Sequence, residues 1–182
     1  TPDAAPTGRP MPVRVSQDAA RVSLDTRDSD HPHLCRGVRG LPTDAPDRDP
    51  MQVLSAILGG GMSSRLFIEV RERHGLAYYV FCHHQAYADA GTLVAQAGVD
   101  TERIDLAVST ILTEFRKLAD ESVSGDELRR VKNYLKGRLV LQLEDPRGLL
   151  MFGLRREVLE DKLVEPDEVA GGIEAVTVQD VQ

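Results

Sequence analysis

Tryptophan is absent from this sequence, and four phenylalanines and four tyrosines are its only aromatic protein rings besides histidine. Any core must therefore be assembled from Leu, Val, Ile and Ala. Cysteine is scarcer still. Cys35 and Cys82 are the only two, which provides neither a disulfide framework nor metal-knuckle spacing, so both are expected as small buried apolar residues. Long apolar runs are missing: charges interrupt every stretch well before the roughly 20 residues that a membrane helix needs. The first residues also lack a basic start followed by an apolar segment, the form of a secretory leader. A soluble protein, cytoplasmic rather than secreted, is the expectation. Positive charge is in deficit, with 22 Lys and Arg against 29 Asp and Glu and a net charge of −7. That balance argues against a general nucleic-acid binder and against an anionic membrane surface as partner.

What remains is an ordinary globular composition, 41% hydrophobic and 28% charged over 182 residues, enough for one domain with a single core. The opening TPDAAPTGRPMP has no apolar periodicity and is rich in Pro, Ala and Gly, the composition of a linker. Residues 1–18 are accordingly read as an extension and 19–182 as the domain. Near the other end, Thr177 and Asp180 form a plausible capping box just before the last residue, and both ends are expected to be cut from something longer.

Between them the periodicity changes in a readable order. Val22 and Leu24 alternate with Ser23 and Asp25, so Ala20–Thr26 is expected as a half-buried strand. A weaker strand candidate covers His33–Arg39. The stretch from Pro42 to Pro50 is turn chemistry, and its acidic run from Asp44 to Asp49 is expected as a solvated turn. Asp49-Pro50 then opens a helix ending at Gly59–Gly61. Ser63 or Ser64 is expected to cap a second helix that stops at Gly75. Tyr78–Ala88 and Thr92–Val99 are expected as strands joined at Asp89-Ala90-Gly91. A helix follows from Asp100 or Thr101, with Ile104, Ala107, Val108, Ile111, Leu112 and Phe115 on one face. The capping box Ser124-Gly-Asp-Glu127 opens a long helix to about Glu144, and Pro146–Leu159 and Pro166–Val176 are further helices. Short turns between strands, followed by several helices, indicate an α+β fold: a mainly antiparallel sheet covered by helices in a two-layer sandwich.

One run is more specific than any periodicity. LGGGMSSRLFIEVRERHGLAYYV, Leu58–Val80, closely resembles the signature of the second, metal-free domain of the pitrilysin or insulinase family of zinc metallopeptidases. Mitochondrial processing peptidase and its bacterial homologues are the nearest relatives that this resemblance suggests. It continues through AYADAGTLVAQAGVD, Ala86–Asp100, and the helix SGDELRRVKNYLKGRLVLQLED, so it covers most of the chain from about Asp25. It implies a peptidase made of two facing halves of similar fold. One half holds zinc through a His-x-x-Glu-His helix and a distal Glu; the other contributes an Arg and a Tyr across the cleft. The matching residues here are Arg71 and Tyr78, and Gly60, Gly61, Met62, Ser63 and Ser64 are implied to lie near bound peptide.

The chemistry supports such a pair. Attack on a peptide carbonyl builds negative charge on oxygen, and a guanidinium and a phenol can both donate to it. On residue chemistry alone, Arg71 would be a solvated helix residue and Tyr78 a half-buried strand residue. The rivals Arg73 and Tyr79 are displaced from the family positions, and strand alternation would put Tyr79 on the face opposite Tyr78.

No His-x-x-Glu-His occurs in either direction, and His31, His33, His74, His83 and His84 have no ligand spacing. His83 and His84, adjacent in a strand, point to opposite faces. The segment from His31 to Gly37 departs from the smoother apolar strand of the family, so it is expected at an edge. No metal is expected in this chain, and zinc is expected in a partner half, on the same or a separate chain. Peptide or unfolded polypeptide is the implied substrate, a dimer is possible, and the chain alone is expected to be inactive. The alternatives are a non-enzymatic scaffold or peptide-binding subunit of the same fold and, more remotely, a freestanding peptide-binding domain.

Overall fold

The structure is a computed structural model that describes residue 13, residues 16–26 and residues 32–182. Its centre is a three-stranded antiparallel sheet in the order β1-β3-β2, formed by β1 (His33–Gly40), β2 (Ala77–Ala86) and β3 (Gly91–Val99). β2 and β3 are a hairpin, and β1 pairs along the other side of β3 from His33↔Gly98 to Gly40↔Gly91. The helices are α1 (Arg48–Gly59), a wide π-type helix (Phe67–Arg73), α2 (Ile104–Asp120), α3 (Gly125–Glu144), α4 (Pro146–Glu160), α5 (Pro166–Ala175) and the short α6 (Val178–Val181). This is the α+β arrangement of sheet and covering helices.

Period-two alternation sorts the sheet into two faces. Val80 and Cys82 of β2, with Leu93, Ala95 and Ala97 of β3, are buried on one side. Val53 and Ile57 of α1, both fully buried, join them in one apolar cluster. At the end of α1 the backbone itself meets the sheet: a Cβ on Gly59 would lie 2.6 Å from the Cβ of Cys82. Burial there pushes the Cys82 thiol up to about 12, so it stays protonated and packs as an apolar group. Cys35 is exposed, contrary to expectation, because it falls on the open face of edge strand β1.

Several helix starts follow their caps. Ser124 accepts a hydrogen bond from Glu127 N at 3.2 Å, Asp145 accepts from Gly148 N at 3.0 Å, and Thr177 with Asp180 makes a complete capping box. Asp100 caps a 3₁₀ turn, Thr101–Arg103, that leads into α2. The first helix begins earlier than expected, at Arg48 after Asp47, with Pro50 inside the first turn where its missing N–H costs nothing. Ser64 does not cap with its side chain: its hydroxyl donates back to Gly61 O at 2.6 Å, while its carbonyl accepts Ile68 N. The strand expected at Ala20–Thr26 does not form. Val22 and Leu24 are 95% and 88% exposed, and among the described residues no strand pairs with this segment to bury their alternate side chains. Most of the linker read at 1–18, together with His31, lies outside the described residues.

The layers are tied by ion pairs. Arg65 makes a two-pronged contact with Glu127 at 2.9 and 2.8 Å, joining the start of the π-helix segment to the start of α3. Arg48 reaches Glu160 at 2.8 Å across α1 and α4. A smaller clamp closes the β1 end, where the Leu41 amide donates to His84 Nε2 at 3.1 Å. Burial holds His84 below its ordinary 6.5, opposed in part by its contact with the Leu41 carbonyl.

Two outcomes follow from this packing. Gly59→Ala should cost about 1–3 kcal/mol by forcing α1 off β2, whereas Gly171→Ala, with open space around it, should gain about 0.5–1 kcal/mol; urea denaturation of both variants measures the contrast. For His84, the unfolded chain takes up a proton at higher pH than the folded one. Stability should therefore decline as pH falls through 6.5 and level off below the folded-state value. Denaturation midpoints across that range should show a shallower decline in His84→Gln, which keeps an acceptor for the Leu41 amide.

Candidate functional site

The site predicted at Arg71 and Tyr78 is built around one turn. The π-helix ends at His74, and Gly75 follows at φ +57°, a left-handed conformation natural to glycine. The Gly75 and Leu76 amides return to the carbonyls of Arg71 and Val70 at 3.1 and 2.8 Å. From below, Arg103 grips the same turn: its guanidinium donates to Gly75 O at 2.8 Å and to Asp100 at 3.2 Å. Wide π-type turns are uncommon and tend to occur at functional sites. Here the helix end and the strand start are held on either side of a three-residue connection, His74–Leu76.

Arg71 is exposed, and its guanidinium lies 4.8 Å from the centre of the Phe67 ring, one turn back on the same helix. Among the described residues no carboxylate pairs with it. Its rival Arg73 is already committed to Glu69 at 2.6 Å. The sequence reading separated these two arginines by position; the structure separates them by occupancy.

Tyr78 and Tyr79 are arranged differently from expectation. Ala77 pairs with Val99 and Tyr79 with Gly98, so Tyr78 is the extra residue of a β-bulge. The bulge cancels the alternation and brings both rings to the same side, over Gly98. They meet edge to face at 5.6 Å, and a Cβ on Gly98 would come within 2.5 Å of each ring. The Tyr79 hydroxyl is 2.6 Å from His33 Nδ1, and its ring continues a stack with Phe81 and then His83 along the open sheet face. Burial, with Tyr78 and Cys35 nearby, holds the Tyr79 phenol above its ordinary value. Tyr78 is 45% exposed and lines a cleft of about 380 Å³ with Gly75, Asp100 and Arg103. Arg71 is not part of that cleft lining.

The glycine segment divides into two parts. Gly61 sits against the Tyr134 ring, Gly60 against Ala56, and the Tyr134 hydroxyl donates to Gly60 O. Met62 is 78% exposed and Ser63 is exposed, whereas Ser64 is buried with its hydroxyl used inside the turn. Among the described residues no group of three or more His, Cys, Asp or Glu is placed to hold a metal ion, and no helix is long and apolar enough to cross a membrane. His83 and His84 do face opposite ways, one into the aromatic stack and the other towards Leu41.

Sequence reasoning missed Arg103, Gly98 and Tyr134. Gly98 had a legible sign, a glycine inside a strand, which marks close approach. Arg103 and Tyr134 act across 28 and 74 residues of chain, and nothing local announces them.

The molecule is thus an α+β domain in which a three-stranded antiparallel sheet and a glycine turn carry the candidate residues. The family described as "Peptidase M16 inactive domain" matches residues 3–135, and the chain belongs to it. It is 34% identical over 181 residues to an uncharacterized zinc protease of Streptomyces coelicolor, covering all of this chain and 39% of that protein. An uncharacterized zinc protease of Bacillus subtilis is 33% identical over 155 residues, 85% of this chain and 38% of the relative. The chain thus spans about two fifths of the length of these relatives. Among solved structures, a peptidase M16 inactive domain from Pseudomonas fluorescens superposes with a TM-score of 0.74 at 22% identity, over 84% of this chain and 37% of that one. A protease from Helicobacter pylori gives 0.76 at 20% identity, over 85% and 38%. These two likenesses establish the fold.

The bulge makes Gly98 a test of the site. Gly98→Ala should cost about 1–3 kcal/mol and separate the two tyrosine rings, read as loss of the Tyr78–Tyr79 ring-to-ring NMR contacts while the rest of the spectrum persists.

Proposed function

We propose that this chain completes the substrate chamber of a zinc endopeptidase and that Arg71 and Tyr78 donate hydrogen bonds to the oxygen on which charge develops during peptide hydrolysis. The observation that carries this reading is the locked turn between them, with an exposed arginine that no described carboxylate occupies and a tyrosine re-aimed by a bulge. A guanidinium presents charged donors in a fixed fork and a phenol adds one more. Donors anchored before the reaction need no reorganisation while it proceeds, which is why such groups contribute strongly to rate.

Zinc held by the other half, in the same or a separate polypeptide, would supply an activated water and polarise the carbonyl. The chain's own share is to bind, orient and stabilise. The surface position of Met62 and Ser63, beside the glycines, supports peptide or unfolded polypeptide running past this segment. Residues 1–18 then act as linker to a domain starting near residue 19, and a dimer of such proteins would enclose the substrate from both sides.

In the intact protein, Arg71→Ala and Tyr78→Phe should each lower kcat by roughly 10²–10³-fold, the scale for losing an oxyanion donor, with unchanged zinc content and thermal stability. Steady-state hydrolysis of a fluorogenic peptide measures this. Full turnover in both variants would leave the domain as a scaffold.

A further inference from the structure

A second cleft, of about 370 Å³, opens where α1, β2, α3, α4 and α5 converge. Its floor is apolar, with Leu135 of α3 and Ile173 of α5 buried and Leu139 and Val169 beside them. Its rim is cationic, formed by Arg138 of α3 and Arg155 of α4. Gln52 and Gln142 add neutral amide donors. The lining contains no aspartate or glutamate, although acidic residues outnumber basic ones 29 to 22 in this chain.

Several of the chain's cations are committed to carboxylates, Arg65, Arg73, Arg103, Arg129, Lys117, Lys136 and Lys162 among them. Among the described residues Arg138 and Arg155 have none, and the one polar contact of Arg138 is to the Tyr134 hydroxyl at 3.5 Å. Behind the rim, Arg156 has a buried Nε with no hydrogen-bond partner; burial is the main cause holding its guanidinium below its ordinary value, with Glu160 and Asp49 opposing the shift and Arg48 and Arg155 adding to it. A concave site with an apolar patch on its floor, polar walls that include Ser55, His83 and His84, and two arginines on its rim fits an anion with an apolar body.

We infer that this cleft binds a carboxylate-bearing, apolar end of a peptide, with Arg138 and Arg155 gripping the carboxylate and the apolar floor receiving the neighbouring side chain. A bare inorganic anion would leave the floor empty. Gly60 lines the same cleft, and Tyr134 links Arg138 to the Gly60 carbonyl, so an occupant would lie next to the glycine segment. This specifies the substrate class of the proposed chamber and rests on that reading, but the contact is one of binding and requires no turnover by Arg71 or Tyr78.

The test is calorimetric titration of the intact protein, in EDTA to suppress hydrolysis, with three capped peptides. N-acetyl-Ala-Ala-Leu free acid should bind, and the same peptide as its C-terminal amide should bind at least about tenfold more weakly. N-acetyl-Ala-Asp-Leu-amide distinguishes the sources: recovery of binding assigns the carboxylate to an acidic side chain, and no recovery assigns it to the chain terminus. Both results support carboxylate recognition. Arg138→Gln/Arg155→Gln, at exposed positions, should lose at least about tenfold in affinity for the acid with an unchanged melting temperature, whereas Arg147→Gln, exposed and outside the cleft lining, should bind it as the wild type does. Equal affinity for acid and amide, no binding of the acid, an unaffected double variant, or inorganic phosphate binding as tightly as the peptide acid would each overturn the inference.

Discussion

The close approach of α1 to β2 at Gly59 is the constraint on which the other positions depend. Backbone meets backbone there, with no room for a side chain between them, so α1 enters the sheet at one height only. Interiors are packed too densely to absorb a shift at such a point. Once α1 is seated, Gly61 must turn against the Tyr134 ring, Ser64 closes the turn, and the next helix starts at a defined place. Arg65, bound to Glu127 with both partners largely shielded, then aligns that helix with α3. The candidate site is the far end of this series, where the π-helix, Gly75 and the bulge at Tyr78 inherit their placement from the glycine contact.

Two glycines in the series have different physical reasons. Gly75 is needed for its backbone angle, φ +57°, and has nothing near it. Gly59 is needed for its missing Cβ. The glycine triplet suggested a helix stop by backbone freedom, but Gly60 retains a right-handed conformation at φ −77°. Space, not left-handed geometry, explains glycine at positions 59–61.

Much of the fold was legible because its signals are local. Ser124, Asp100, Pro146 and Thr177 mark real helix starts, and the break at Asp89–Gly91 marks a real hairpin connection. The failures share a cause. Val22 and Leu24 alternate like a strand, yet alternation makes a strand only where a sheet edge is available to pair it. Cys35 resembles Cys82 in composition and differs only in which face of which strand carries it. Strand alternation separated Tyr78 from Tyr79, and a single extra residue brought them together. Residues such as Val22 and Cys35 are decided by neighbours far away in the chain.

The sequence by itself determined the family, the order of strands and helices from His33 onward, and the candidate pair Arg71 and Tyr78, because motif, capping and periodicity are properties of short segments. The tertiary structure alone decided which arginine is left without a carboxylate, which tyrosine is tied to His33, and where Arg103, Gly98 and Tyr134 enter. It also decided that Arg138 and Arg155, 17 positions apart in the sequence, share one rim. The physical reason is that pairing, exposure and close approach are relations between distant segments, and they exist only once the sheet and its helices have packed.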